Sequence, residues 1–102
     1  MNEDWNVFEE LLVMEDEAME KVLELEIDDA PWFLKEENCQ ALEDLRIKLY
    51  KVGANLLSKV GDEAFVAQMA QVFSKPGPLN GWDPNQLLQE VKNPGPVIFI
   101  NP

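Results

Sequence analysis

Carboxylates are the side chains of this sequence with the greatest capacity for chemistry. There are 20 Asp and Glu residues against 8 Lys and Arg, no His, and a single Cys. Without His, the commonest general base and the Ser-His and Cys-His nucleophile pairs are excluded. One Cys excludes an internal disulfide and leaves too few ligands for a zinc site of the usual type. Catalysis by paired carboxylates is the least favoured function, because carboxylates on an exposed helix keep ordinary pKa values.

The acids do not follow the spacing of an ion-binding loop. The sequence contains neither the Asp-x-Asp/Asn-x-Asp/Asn-Gly pattern of a calcium loop nor the Gly-x-x-x-x-Gly-Lys-Ser/Thr pattern of a phosphate loop. Scattered surface acids would bind Mg²⁺ or Ca²⁺ only loosely and without specificity. We therefore predict no catalytic residue, no metal site and no cofactor.

The negative charge is concentrated at the start of the chain. Residues 1–29 contain twelve acids and only Lys21, a formal charge of -11 out of a total of -12. Direct nucleic-acid binding is disfavoured, because phosphate contacts need clustered Lys and Arg. The pattern favours a non-enzymatic interaction protein, a small acidic adaptor or inhibitor, with a basic protein partner. The acids expected to bind that partner are Glu9, Asp16, Glu17, Glu20, Glu24 and Asp28.

Imitation of a nucleic acid is the alternative function for the acidic segment. Eleven charges along a helix of ~40 Å give one charge per ~3.7 Å, close to the 3.4 Å of a single strand and half the density of a duplex. Such a protein would block a DNA- or RNA-binding protein. Solubility alone would also account for an acidic face.

The element that carries these acids is an amphipathic helix over about residues 4–29. Its apolar residues fall within an arc of roughly 160° and the acids fall opposite. Glu15 and Glu26 break this pattern because they project into the apolar arc. Either the helix kinks near Glu15 and frays near Glu26, or Glu15 pairs with Arg46 of the next helix, since a buried carboxylate needs a partner.

The second and longest helix is predicted over residues 31–60, ending at Gly61. Its apolar stripe includes Cys39, which we interpret as a small buried apolar residue. Gly53 inside this helix indicates either close approach of another helix or a bend. The opposite face carries a basic stripe, interpreted as a solvated face or a docking surface for helix one: Lys48, Lys51 and Lys59.

The corner between these two helices contains the densest apolar cluster of the chain. Asp28 or Asp29 is expected to cap the second helix, with Pro31 in its first turn. Trp32, Phe33 and Leu34 follow, and we expect them to close the core at the corner. The alternative is that Trp32 is exposed and anchors a partner.

Two shorter helices and a tail complete the chain. A third helix is predicted over residues 62–75 and a fourth over residues 84–92, with Asp83 as its N-cap. The apolar tail, residues 96–101, prefers an extended conformation. We expect it to lie across the helices as a strap. The alternative is that it adds to a sheet edge of a partner or of a second copy, through Val97 and Phe99.

The predicted fold class is therefore all-α, a single helical domain over residues 1–102 with four helices and a short extended tail. The partner is expected to be a protein that is basic or has an exposed sheet edge. A tail with no partner strand and a helix with a wide apolar face also favour a homodimer. No apolar run approaches the ~20 residues of a membrane span. We therefore expect no membrane association and a cytoplasmic location.

Overall fold

The computed structural model describes residues 2–93, which form four α-helices and no strand. The helices are α1 (Asn2–Ile27), α2 (Trp32–Val60), α3 (Asp62–Ser74) and α4 (Pro84–Lys92). This confirms the predicted all-α class. The predicted tail, with Val97 and Phe99, lies outside the described residues.

Helices α1 and α2 pack side by side as an antiparallel hairpin. At its open end the Lys59 ammonium lies 3.5 Å from an Asp4 carboxylate oxygen. At its closed end Lys35 lies 3.7 Å from a carboxylate oxygen of Glu26. The long axis of the molecule, 43 Å, matches the ~44 Å expected for the 29 residues of α2. The hairpin therefore sets the length of the molecule.

The turn at the closed end corrects the predicted cap of α2. Neither Asp28 nor Asp29 caps α2; the residue before the helix is Pro31, and no side chain makes a cap hydrogen bond there. The reason is that the two aspartates belong to the turn that ends α1. Asp29 has a φ of 50°, and the Ala30 amide donates to the Leu25 carbonyl at 3.0 Å. These are features of a helix C-terminus.

Helices α3 and α4 pack against only one part of the hairpin, and the buried residues accordingly form two clusters. The smaller cluster contains Val22, Cys39 and Leu42, all from α1 and α2. We call residues 16–45, the part of the hairpin around this cluster, the tip, and the remaining described residues the base. The larger cluster lies in the base and joins all four helices: Phe8, Leu11, Leu12, Leu49, Leu56, Phe65, Met69, Val72, Phe73, Leu79, Leu87, Leu88 and Val91.

Gly53 marks the point where three helices meet in the base. A Cβ atom on Gly53 would lie 2.9 Å from Cε1 of Phe8 in α1 and 3.1 Å from Cγ2 of Val91 in α4. Of the two interpretations of Gly53, close approach is therefore confirmed. The absence of a side chain lets the Phe8 ring pack directly on the α2 backbone.

The start of α4 follows the predicted signals. The Asp83 carboxylate accepts a hydrogen bond from the Asn85 amide at 2.9 Å, and Pro84 occupies the first turn. Just before the cap, the Trp82 ring lies 5.8 Å from the Phe73 ring of α3, measured between centroids. The cap and this aromatic contact together fix α4 against α3.

Candidate functional site

Five large apolar side chains at the tip are exposed, and we call them the tip patch: Leu23, Ile27, Trp32, Phe33 and Leu34. Ile27 is 83% exposed and Trp32 is 73% exposed. The prediction that Trp32, Phe33 and Leu34 close the core is wrong. Trp32 is exposed, and its role as an anchor for a partner stays a prediction. The physical reason for the exposure is that α3 and α4 pack against the base, so of the four helices within residues 2–93 only α1 and α2 are available to bury apolar surface at the tip.

The Trp32 and Phe33 rings cover each other in part. Their centroids are 6.2 Å apart and their planes are nearly perpendicular, at 87°, the edge-to-face arrangement that aromatic pairs prefer. This contact holds two of the five side chains of the tip patch in one place without removing them from solvent. The patch therefore presents two aromatic rings in mutual contact at its surface.

Beneath the tip patch the thiol of Cys39 is buried, as predicted. Burial raises the pKa of this thiol, and the negative charge of Glu26 raises it further. A thiol with a raised pKa has little thiolate at neutral pH, and thiolate is the reactive form. Cys39 is therefore a packing residue of the tip.

The predicted partner-binding acids lie along α1 and its turn with different exposure. Glu17, Glu20, Glu24 and Asp28 are exposed, whereas Glu9 and Asp16 are half-buried. The tip as a whole contains eleven acids and two bases, a formal charge of -9 out of -12. The tip patch is therefore surrounded by negative charge.

The basic stripe of α2 neutralises little of this charge. Lys59 pairs with Asp4 at the open end of the hairpin, while Lys48 and Lys51 are exposed. In the described part of the chain, the acids of α1 that form ion pairs are Asp4, Glu15 and Glu26. Of the tip acids, Glu26 and Asp29 each have a carboxylate oxygen 3.7 Å from the Lys35 ammonium. The ion pairs found within residues 2–93 include none of the six predicted partner-binding acids.

The predicted pairing of Glu15 with Arg46 is confirmed. The Nε atom of Arg46 lies 3.9 Å from Oε1 of Glu15, whose side chain is only 15% exposed. The Arg46 Nη2 atom donates to the Tyr50 hydroxyl at 2.9 Å, and the guanidinium carbon lies 5.6 Å from the centre of that ring. Helix α1 runs through Glu15 without interruption. A break in the helix at Glu15 is therefore excluded.

The environment of Glu15 favours its protonated form. Burial raises the pKa of the Glu15 carboxyl, the charge of Arg46 opposes that rise, and the charges of Glu90 and Asp16 add to it. For Arg46, burial acts to lower the pKa, but the hydrogen bond to Tyr50 and the neighbouring carboxylates raise it above its ordinary value. Glu15 is thus a partly desolvated carboxyl beside a permanently charged base.

A cleft of about 410 Å³ lies over this pair, between the hairpin and the start of α4. A carboxyl with a raised pKa in a cleft is one component of a proton-transfer site. Here burial and the packing of α1 on α2 account for the shift. Among residues 2–93, no three His, Cys, Asp or Glu side chains lie close enough together to hold a metal ion. The tip patch, with its five exposed apolar side chains, is the stronger candidate site.

None of the helices within residues 2–93 combines the length and apolar character needed to cross a membrane. No protein-family model, curated protein or solved structure matches the chain.

Proposed function

We propose that this chain is a non-enzymatic protein-binding module, a small acidic adaptor or inhibitor, and that its tip binds a basic protein. The observation that supports the proposal most strongly is the tip patch. Burying a large apolar side chain contributes roughly 1.5–3 kcal/mol, and five such side chains at the tip are left in contact with water. Large exposed apolar patches with a polar rim are typical of protein interaction sites.

The composition of the tip patch is also that of an interface centre. Trp is among the residues most enriched at the energetic centres of interfaces, and Trp32 is the most exposed aromatic residue of the tip patch. The acids around it would contribute in a second way. A strongly negative rim accelerates association with a basic protein and discriminates against acidic ones.

Affinity capture with matched charge variants tests the proposal. The variant Asp16→Asn/Glu20→Gln/Glu24→Gln removes three charges at the tip, and Glu3→Gln/Glu10→Gln/Glu63→Gln removes three exposed charges from the base. We expect the wild type and the base variant to capture the same basic partner from the source cell at low salt. The tip variant should lose it. Equal capture by both variants, or no captured protein, would contradict the proposal.

Varying the salt concentration and replacing Trp32 distinguish the electrostatic contribution to binding from the apolar contribution. Raising the salt concentration from 0.01 to 0.1 M shortens the Debye length from about 30 Å to about 10 Å, so it should weaken capture without abolishing it. Trp32→Ala should weaken capture at both concentrations, because it removes apolar contact area. If Trp32→Ala left capture unchanged, the patch would have no part in binding.

Imitation of a nucleic acid remains the alternative proposal, and one observation disfavours it. A phosphate backbone has no counterpart to the exposed indole of Trp32 or the side chain of Ile27. Competition distinguishes the two functions. Double-stranded or single-stranded DNA or RNA should release the captured partner if the acids imitate phosphates, and should leave it bound if the tip is an ordinary protein interface.

A further inference from the structure

Helix periodicity shows which residues of the tip patch face the side of the hairpin that α3 and α4 cover at the base. Eighteen residues of a straight α-helix make five complete turns, so residues eighteen apart point in the same direction. Leu23 therefore points the same way from α1 as Trp5, whose ring lies 5.8 Å from the Phe65 ring of α3. Leu23 thus faces the side of the hairpin on which α3 packs, but it lies beyond the end of α3 in the direction of the tip.

The same relation holds on α2. Trp32 lies eighteen residues before Tyr50 and points in the same direction. Tyr50 lines the cleft together with Trp82 and Asp83 at the start of α4. The side of the hairpin that α3 and α4 cover at the base is therefore uncovered at the tip, where Leu23 and Trp32 lie on it. We call this uncovered side the tip groove.

The dimensions of the tip groove suit a short helix. From the level of Glu15 to the end of α1 at Ile27, twelve residues span ~18 Å. This is the length of about three helical turns, close to that of α3, which has 13 residues. A third helix placed there would continue the layer that α3 and α4 form at the base.

Charge determines which helix would occupy the groove. The tip carries a formal charge of -9, so a second copy of the chain would bring an equal negative charge to the same surface. Residues 94–102 contain no charged side chain and would leave the acids unneutralised. A helix with apolar residues on one face and Lys or Arg on its flanks would match both the apolar floor and the acidic rim.

We propose that the tip groove binds a basic amphipathic helix of about three turns from a partner protein. The helix would pack its apolar face on Leu23 and Trp32 and direct its Lys or Arg side chains toward acids such as Glu24. This inference rests on the proposed function and specifies the chemistry of the partner. The complex is a three-helix arrangement at the tip.

Titration of the full chain with synthetic peptides tests this inference. The probe is a 14-residue peptide of Leu and Lys only, with Leu at the i, i+3, i+4, i+7 spacing of one helical face. A peptide of the same composition has its Leu residues redistributed around the helix, and a third has Glu in place of Lys. Binding is measured by calorimetry, and its location by amide chemical-shift changes.

We expect the amphipathic basic peptide to bind at least tenfold more tightly than the redistributed peptide, and the Glu peptide not to bind. The largest shifts should fall in residues 19–36. Leu23→Ser/Trp32→Ser should weaken binding at least tenfold. The matched control, Val7→Ser/Ile47→Ser, changes exposed apolar residues of the same two helices in the base half and on an outer face, and it should bind as the wild type does.

Other outcomes overturn the inference in distinguishable ways. If both Lys peptides bind equally and the Leu23→Ser/Trp32→Ser variant is unaffected, only charge is recognised; the groove assignment then fails while the proposed protein-binding function stands. If sedimentation shows a dimer that Leu23→Ser/Trp32→Ser abolishes, the occupant is a second copy. If the amphipathic peptide binds the groove but the cell yields no captured partner, the proposed function fails instead.

Discussion

At Gly53 the packing of the base leaves too little room for one additional carbon atom. Replacing Gly by Ala in a helix ordinarily gains up to about 1 kcal/mol. Here the new methyl group would lie 2.9 Å from the ring of Phe8, which is fully buried and cannot move without disturbing its neighbours. Because overpacking costs about 1–3 kcal/mol, we expect Gly53→Ala to lower the free energy of unfolding by roughly 1 kcal/mol in chemical denaturation.

A double-mutant cycle identifies Phe8 as the cause of this loss. Phe8→Leu is destabilising by itself because it removes buried ring atoms. In the Phe8→Leu background, however, the methyl group added by Gly53→Ala finds room, so this second substitution should cost less or become stabilising. Additive effects of the two substitutions would show that the contact with Phe8 does not limit this position.

Glu15 gives the stability of the fold a specific dependence on pH. Because burial raises the pKa of its carboxyl in the folded state, the native state binds more protons than the unfolded state at pH values between the unfolded and the folded pKa. Its contribution to stability therefore falls as pH rises through this range. We expect the free energy of unfolding of the wild type, relative to Glu15→Gln, to decrease as the pH rises from 5 and to become constant above the folded-state pKa of Glu15.

The pH experiment needs a lower pH limit and a matched control variant. Measurements should start at pH 5, because the isoelectric point is about 4.1 and proteins associate when their net charge approaches zero. Glu17→Gln, on the exposed side of the same helix, controls for the general loss of one negative charge. A difference between wild type and Glu15→Gln that stayed constant or grew with pH would contradict the prediction.

At the scale of the elements, α4 depends on the cap at its start. The helix has only nine residues, so it is too short to be stable without tertiary contacts. Asp83→Ala removes the acceptor of the Asn85 amide and should destabilise the fold by about 1 kcal/mol. Asp83→Asn and Asp83→Ser retain a capping oxygen and should restore most of that loss in thermal unfolding. Equal losses in all three variants would mean that the cap hydrogen bond is not the cause.

The helices were predictable from the sequence because their signals are local. Asp83, Pro84 and Gly61 act within one turn of their own position, and the 3.6-residue period of apolar residues is a property of each helix alone. Pairing of Glu15 with Arg46 was also foreseeable as one of two alternatives, because a carboxylate within an apolar arc requires a partner. The prediction that Asp28 or Asp29 caps α2 is wrong because both residues belong to the turn that ends α1.

The tip patch could not be predicted in the same way. An apolar stripe indicates which face of a helix is buried, but not along how much of its length another helix covers it. The relevant signal lies in the lengths of the elements: α3, with 13 residues, spans ~20 Å, whereas α2, with 29, spans ~44 Å. Such a short helix cannot cover the whole hairpin, so Trp32 and Phe33 remain exposed despite their apolar character.

At the scale of the whole molecule, the larger buried core lies in the base, whereas most of the negative charge lies at the tip. The base contains the large four-helix core, whereas the tip contains three buried residues, Val22, Cys39 and Leu42. The tip nevertheless carries a formal charge of -9, including Asp16, Glu20 and Glu24 at successive i,i+4 positions. Like charges at this spacing cost about 0.2–0.5 kcal/mol per pair. The tip is therefore expected to open locally while the base remains folded.

Hydrogen exchange measured at two salt concentrations tests this division of the molecule. Amides of residues 18–40 should exchange faster than those around Phe8 and Gly53. Raising the ionic strength from 0.01 to 0.1 M shortens the Debye length to about 10 Å, which weakens repulsion between neighbouring acids, so exchange at the tip should slow roughly two- to fivefold. The base should change little.

Asp16→Asn/Glu20→Gln/Glu24→Gln should slow exchange at the tip in low salt and remove most of its salt response. These acids are also the ones proposed to attract the partner, and a basic helix bound at the tip would reduce their mutual repulsion. If salt changed hydrogen exchange equally at the tip and the base, the repulsion would not be concentrated at the tip and this explanation would be wrong.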